Sequence, residues 1–399
     1  MGLRKRGNAW QIVIDVGTKE KRQQKVFTFY GTKPEARAEE ARLKAMYKQG
    51  SPLPGKMTVE EYMIYWLNTF KKRKLATRTY ESYKETIEKH IAKDELGTKL
   101  FDRVTPADIQ EYYNRKLDQG LSGTTVLYHH HVLHAAYAQA VKARLIPWGM
   151  NPCAAVEPPE KDKYKPAELS TEQMAYIITR TSFYEYTEKG KRKKVPALKL
   201  PIIISAMTGA RAGECCGLRW QDINTAEMAV HIHKAVKREG GQLVLGPTKN
   251  KQERWVPMTP GLKTILLWHK KRQEIDKEVY QSLYDDQGYI LAWEDGRCFD
   301  PHYLSEYFTK AMVDIDFKQK ATFHACRHFY ASAMQSAGAN LKYISDALGH
   351  GKMDNITADV YIHTQLEDMR KYVTWLDDAI LKGVLEEINE GHIGGHIVT

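Results

Sequence analysis

The chain has 399 residues, 42% of them apolar, and 60 Lys/Arg against 49 Asp/Glu give a net charge of +11. That length predicts two or three domains, and the lack of a long uncharged apolar run excludes a membrane-spanning helix. Met1-Gly2-Leu3-Arg4-Lys5-Arg6 has no apolar stretch behind it, so no secretory signal is expected. The five cysteines (Cys153, Cys215, Cys216, Cys298, Cys326) are odd in number and lack C-x-x-C spacing, which predicts buried or free thiols in a reducing cytoplasm.

The positive excess is concentrated. Residues 1–56 hold 13 Lys/Arg against 5 Asp/Glu, residues 57–160 hold 14 against 13, and the remainder 33 against 31. A basic module on a nearly neutral body suits a nucleic-acid handle. Within it, Trp10, Ile12, Ile14 and Val16 alternate with Gln11, Val13 and Asp15, which predicts a strand. Gly17 to Glu20 predicts a turn, and Arg22 to Tyr30 a second strand. Pro34 opens a helix whose predicted apolar face is Ala38, Ala41, Leu43, Ala45 and Met46. Residues 1–50 are therefore expected to form a ββα-type DNA-binding module, its sheet in a major groove and its Lys/Arg on phosphates.

Ser51-Pro52-Leu53-Pro54-Gly55 reads as a linker. Thr58 and Glu61 form a predicted capping box before a helix with Val59, Tyr62, Met63, Trp66, Leu67 and Phe70 on its apolar face. The basic run Lys71-Lys72-Arg73-Lys74 suits that helix's C-terminal end. Further helices are predicted from Thr77 or Thr79, from Thr105 with Pro106 in first position, and from Ser122. Residues 57–155 thus predict an all-helical unit of four or five helices. Consecutive helical residues fan out by about 100°, so His129, His130 and His131 cannot share a face. With His134 nearby but no Cys or carboxylate to complete a set, the tract predicts a helix beside phosphate and no metal. Glu157 to Lys163 reads as a second, charged and stiff linker.

Ser170, with Gln173 as capping partner, opens the third unit, residues 165–399. An apolar helix from Leu198 to Met207 stops at Thr208-Gly209-Ala210, directly before Arg211 and Glu214, with Leu218-Arg219-Trp220-Gln221-Asp222-Ile223 behind. Glu214 is expected to orient Arg211 or tie down a helix, and Arg219 lies on the far side of the motif. Val230 to Val236 predicts one strand with His231 and His233 on an exposed face. Gly240-Gly241 turns, Leu243 to Leu245 returns, and Pro247-Thr248-Lys249-Asn250-Lys251 leads into Arg254-Trp255-Val256-Pro257. Then come Phe323-His324-Ala325-Cys326-Arg327-His328, Leu348-Gly349-His350 and Tyr361. His324 and Arg327, three apart, point from one helix face into one site, and His350 follows a Leu-Gly helix stop. Two imidazoles, a guanidinium and a phenol suit a phosphodiester and no common metal. Beyond Tyr361, Leu366, Met369, Val373, Leu376, Ile380, Val384 and Ile388 predict an amphipathic helix. That helix either closes its own core or docks on a neighbouring protomer.

H-x-x-R, then L-G-H, then Tyr, with Thr-Gly-x-Arg-x-x-Glu and Leu-x-Trp-x-Asp-Ile upstream, resembles the tyrosine recombinase (lambda-integrase) family. Residues 165–365 carry the motifs, 57–155 resemble the family's core-binding domain by organisation, and 1–56 resemble the arm-type domain of integrases of phages and conjugative transposons. Tyr361 stands eleven residues after His350, one or two more than is common in the family. The resemblance implies a multidomain, mainly α fold with small β-sheets and an α+β catalytic domain. It implies site-specific cutting and rejoining of DNA through a 3′-phosphotyrosine and a Holliday junction, integrating or excising a mobile element. The implied catalytic set is Arg211, Lys249, His324, Arg327, His350 and Tyr361. Lys249 is preferred to Lys251 because it lies eight residues before the strand-ending Pro257, as the family's lysine does. Arg211 and Arg327 would hold the non-bridging oxygens, His324 act as base, His350 donate to a phosphoryl oxygen and Lys249 protonate the leaving 5′ oxygen.

No cofactor and no metal are implied: the arginines stay charged at cellular pH, the phosphotyrosine conserves the broken bond's energy, and no Gly-x-x-x-x-Gly-Lys loop appears. The implied partners are double-stranded DNA at core and arm-type sites, a homotetramer on paired sites, and accessory bending or directionality proteins, with no membrane. The implied location is the bacterial cytoplasm, at the nucleoid. Two other readings are a type IB topoisomerase, opposed by the separate N-terminal module, and a non-catalytic DNA-binding regulator, opposed by six competent catalytic positions.

Overall fold

The computed structural model describes residues 3–15, 24–48, 57–146, 149–162, 167–187, 194–249, 251–317, 321–349 and 366–391. The chain divides into two compact units, Met1–Tyr164 and Lys165–Thr399.

The first unit holds two separate apolar clusters. Strands β1 (Leu3–Arg6), β2 (Ala9–Asp15) and β3 (Gln24–Phe29) form an antiparallel sheet in that order, with Leu3 opposite Ile12 and Ile12 opposite Phe27. β1 was not expected. Leu-Arg-Lys-Arg carries no alternation, yet Gly7 at φ 57° supplies the two-residue turn that folds it back. Its Arg4, Lys5 and Arg6 are exposed. Ile12 and Ile14 face α1 (Lys33–Lys48). The buried face of α1 runs through Ala36 and Leu43, whereas Ala38 and Ala41, expected inside, are exposed. Positions 36 and 43 are seven apart, two helical turns, and this phase leaves 38 and 41 outward. Val16 and the expected turn from Gly17 lie outside the described residues.

The helical part follows the predicted caps. Thr58 and Glu61 make a reciprocal box before α2 (Val59–Trp66). α3 (Thr77–Glu85) and the short α4 (Glu95–Thr98) lead to α5 (Pro106–Asp118), capped by Thr105, and α6 (Gly123–Lys142), capped by Ser122. Aromatic rings fill the core: Phe101 stacks on Tyr137 at 4.2 Å between centroids. His129 and His130 are corrected here. Both are buried rather than facing phosphate, because Tyr112 Oη lies 3.0 Å from His129 Nδ1 and Tyr113 Oη 2.7 Å from His130 Nδ1. Only His131 of the three is exposed.

In the second unit, α7 (Thr171–Arg180) starts at the Ser170–Gln173 box. A short hairpin, β4 (Tyr186–Thr187) with β5 (Lys194–Val195), precedes α8 (Lys199–Thr208), which is buried along its whole length. α9 (Ala212–Gly217) leads to β6 (Ile223–Asn224) and β7 (Ala229–Ile232). The single strand expected from Val230 to Val236 is two. β7 joins a sheet, while β8 (Lys234–Glu239) breaks away at His233 to pair with β9 (Gln242–Pro247). β10 (Arg254–Pro257) completes the first sheet, in the order β10-β7-β6. His231 and His233 are not exposed as expected: His231 stacks on Trp255 at 4.3 Å, and His233 Nε2 sits 3.0 Å from Asp222. α10 (Pro260–Tyr280), α11 (Pro301–Asp314), α12 (His324–Ser336) and α13 (Leu341–Leu348) follow.

The tail is not one helix. Residues 366–370 are helical, 371–375 turn, and helix resumes before α14 (Lys382–Asn389). Met369, Val373, Leu376, Ile380 and Val384 of its stripe lie in the core of its own unit, Leu366 is buried as well, and residues 377–389 pack against α7 and α10. The docking on a neighbour is thereby corrected for these residues: their apolar surface is already covered. All five cysteines are free thiols.

Candidate active site

The turn after α8 is fixed by its own side chains. Thr208 Oγ1 donates to Ile204 O (2.6 Å) and Ser205 Oγ to Ala210 O (2.8 Å). Gly209 ends the helix at φ 67°, and a Cβ there would lie 2.7 Å from Tyr330 Cδ1. Only glycine meets both demands without strain. The turn delivers Arg211 to the start of α9, where its N–H donates to Glu214 Oε2 (3.0 Å) and its Nη1 to Glu214 Oε1 (2.8 Å).

Glu214, 2% exposed, is the hub. Its Oε2 also accepts from Arg254 Nη2 at 2.8 Å and stands 3.8 Å from Arg327 Nη1. Arg327, 3% exposed, donates from Nη1 to Gly209 O (2.6 Å) and from Nη2 to Leu348 O. Arg254 Nε donates to Ala347 O at 2.6 Å. Two buried guanidinium groups therefore hold the carbonyls at the ends of α8 and α13. Arg211, its side chain 24% exposed, is the cation of the cluster that reaches solvent.

Burial works to raise the Glu214 carboxyl, but Arg254 and then Arg211 outweigh it and hold the group below its ordinary value. Burial, then Arg211 and Arg254, push the Arg327 guanidinium down to about 9. Three guanidinium groups around one carboxylate leave two positive charges in excess. Such a site attracts a multiply charged anion.

Among the expected catalytic residues, the structure brings Arg211 and Arg327 together through Glu214. His324 is exposed at the first position of α12, one turn from Arg327, its ring 4.6 Å from that of His328. Burial, then Arg327, holds the His328 imidazole below its ordinary value. Lys249 is exposed on the loop after β9, next to buried Thr248, whose Oγ1 donates to Gln252 O (2.6 Å). Lys251, on the same loop, has φ 55° and lines a cavity of about 430 Å³ with His233, Gly246 and Glu253. His350 and Tyr361 lie outside the described residues. Gly349, at φ 65°, ends α13 immediately before His350.

Arg254 was missed in the sequence. The available signal was its place on β10 beside Val256 on the inward face, where an arginine requires a buried anion. Arg219 holds to its expected place apart: it stacks on Tyr289 at 4.7 Å. Among the described residues no group of His, Cys, Asp and Glu could hold a metal ion.

Comparison with known proteins bears on the same residues. The phage integrase family model matches residues 181–367, and the phage integrase N-terminal SAM-like domain model matches 58–117. The chain belongs to the phage integrase family. The integrase is 25% identical over 395 residues to a tyrosine recombinase XerC-like protein of Caldanaerobacter subterraneus, covering 93% of this chain and 96% of that one. It is 24% identical over 307 residues to the ICEBs1 integrase of Bacillus subtilis, covering 75% and 78%. The fold matches that of the Tn1549 transposon integrase, solved with a circular intermediate DNA, at a TM-score of 0.62 and 17% identity over 83% of this chain and 99% of that one. It also matches the lambda integrase, solved as a tetramer on a Holliday junction, at 0.51 and 17% over 90% and 98%. The family match includes Arg211, Lys249, His324, Arg327, His350 and Tyr361 in one span.

Proposed function

We propose that this integrase is a site-specific DNA recombinase that cuts and rejoins strands through Tyr361, moving a mobile element into or out of a chromosome. The observation that carries this reading is the Arg211–Glu214–Arg254–Arg327 cluster, a cationic site with two charges in excess. Arg211 meets a non-bridging phosphoryl oxygen, and Arg327 adds its charge from beneath. Tyr361 Oη attacks phosphorus, and its proton passes to His324, because a phenol with an ordinary pKa of about 10 is a weak nucleophile unaided. The P–O5′ bond breaks, Lys249 protonates the leaving oxygen, and His350 donates to a phosphoryl oxygen. Attack by a second strand's 5′ hydroxyl reverses each step, so no nucleotide is consumed.

Residues 1–50 bind arm-type sites, 57–155 and 165–399 grip the crossover core, and four protomers assemble on paired sites. Accessory bending or directionality proteins complete the assembly, which works in the bacterial cytoplasm on nucleoid DNA. The test is Tyr361→Phe on a nicked suicide substrate. The variant should bind core DNA as the unaltered protein does and form no covalent adduct. An adduct surviving the change would move the nucleophile to another phenol.

A further inference from the structure

We infer that Arg254 is a positioning residue of the cleavage site, acting through Glu214 and the end of α13 without touching DNA. The inference rests on the recombinase reading above. Arg254 is 6% exposed and points inward from β10, too deep to meet a phosphate. Its guanidinium is engaged at both ends: Nη2 on Glu214 Oε2 (2.8 Å) and Nε on Ala347 O (2.6 Å). Nη1 lies where Gly349 passes, since a Cβ on Gly349 would come within 3.2 Å of it. One side chain thus ties α9 to the last turn of α13, segments separated by more than a hundred residues of chain.

The charge pattern explains why an arginine stands there. Glu214 Oε1 holds Arg211, and Oε2 holds Arg254 at 2.8 Å while Arg327 stays at 3.8 Å. By occupying Oε2, Arg254 keeps that carboxylate from closing on Arg327. Without Arg254, Oε2 of the buried carboxylate keeps only the Arg211 backbone N–H (3.0 Å), and the next guanidinium within reach of that oxygen is Arg327. Glu214 would then pair fully with Arg327 and cancel the charge that a phosphoryl transition state needs. Arg254 therefore sets the electrostatics of the site from its buried side, without meeting the phosphate.

The test is single-turnover cleavage of a suicide substrate by Arg254→Gln, Glu214→Gln and the double variant, with core-DNA affinity and thermal unfolding measured on each. Arg254→Gln should bind DNA normally and cleave about 100-fold more slowly, the scale of a displaced catalytic group. The double variant should regain at least part of that loss, because the freed carboxylate is gone. Arg254→Gln cleaving at the wild-type rate would overturn the inference, as would a double variant slower than either single one, which marks plain structural damage. Where Arg254→Gln does not fold, Arg254→Lys carries the test, since it keeps the charge but not the two-ended grip. Slowed cleavage by a lysine variant with native unfolding supports the grip on the end of α13, and a wild-type rate overturns that part of the inference. If the unaltered protein itself formed no adduct, the recombinase reading would fail and take this inference with it. A normal adduct yield in both proteins would sink the positioning role alone.

Discussion

Replacing Glu214 by Gln removes the carboxylate that Arg211, Arg254 and Arg327 share. Three buried or half-buried guanidinium groups would then face one another without an anion. Breaking a buried pair on one side costs roughly 3–5 kcal/mol, so urea unfolding of Glu214→Gln should show a loss of that order. The pH dependence has a definite sign. The Glu214 carboxyl is held below its ordinary value of 4.5, so its stabilising contribution is complete above that pH and is lost as pH falls through the lowered value. Glu214→Gln should therefore lose the acid-limb slope that the unaltered protein shows there. Gly209 offers a second case at this scale. Gly209→Ala places a methyl 2.7 Å from Tyr330 Cδ1 on a left-handed backbone. It should displace the carbonyl that Arg327 holds and slow cleavage while sparing DNA affinity; an unchanged cleavage rate would contradict this.

Between elements, partners distant in sequence decide what local pattern cannot. Arg211, His324 and Arg327 stood out because their motifs resemble the family's, and of the three the structure joins Arg211 and Arg327 around Glu214. For Arg254 the sequence offered only its inward place on a strand, since its partners Glu214 and Ala347 lie 40 and 93 residues away. His129 and His130 looked like a DNA-facing tract until α5 supplied Tyr112 and Tyr113, each 17 residues earlier. The consequence is measurable. Burial pushes His129 and His269 down to about 4. Each is neutral in the folded chain and protonates at about 6.5 when unfolded, so each withdraws stability as pH falls from about 6.5 to about 4, by up to roughly 3 kcal/mol. His269→Gln keeps a donor for Ile290 O and should flatten part of that fall in urea unfolding. The tail was open to two readings in the sequence, and packing against α7 and α10 decides between them. Leu366, Met369, Val373, Leu376, Ile380, Leu381 and Val384 are buried, and Asp377 Oδ2 accepts from Gly261 N–H (2.7 Å) at the start of α10. At about 1.5–3 kcal/mol for each buried side chain, the tail contributes on the scale of a whole domain's stability of about 5–15 kcal/mol. Truncation after residue 364 should therefore unfold the catalytic unit, and Leu376→Ala should cost about 2–5 kcal/mol. A truncated chain with a cooperative, near-native unfolding transition would refute this packing.

Across the whole molecule, charge is divided by task. Residues 1–56 carry 13 Lys/Arg against 5 Asp/Glu, while the other 343 residues are close to balanced, so the excess is not a general coating. In the described part of that module, Arg4, Lys5 and Arg6 stand exposed on β1. The body instead keeps a local surplus, the guanidinium cluster around Glu214, where one scissile phosphate would sit. Two kinds of DNA contact follow from this division. On the proposed reading the module neutralises a run of phosphates and each contact releases counterions, so log K for a distal arm-type site should fall steeply with log salt, by about 0.9 for each phosphate neutralised. Deleting residues 1–56 should abolish distal-site binding and leave core-site binding and suicide-substrate cleavage in place, because the helical part and the catalytic unit have cores of their own. The salt slope on core DNA should be the same with and without the module, since it counts the phosphates neutralised at that site. Gel-shift titrations at several salt concentrations on separate core and arm-type duplexes measure both quantities. Equal loss of affinity for the two duplexes would mean that the module grips the core as well, and that the charge asymmetry marks no second site.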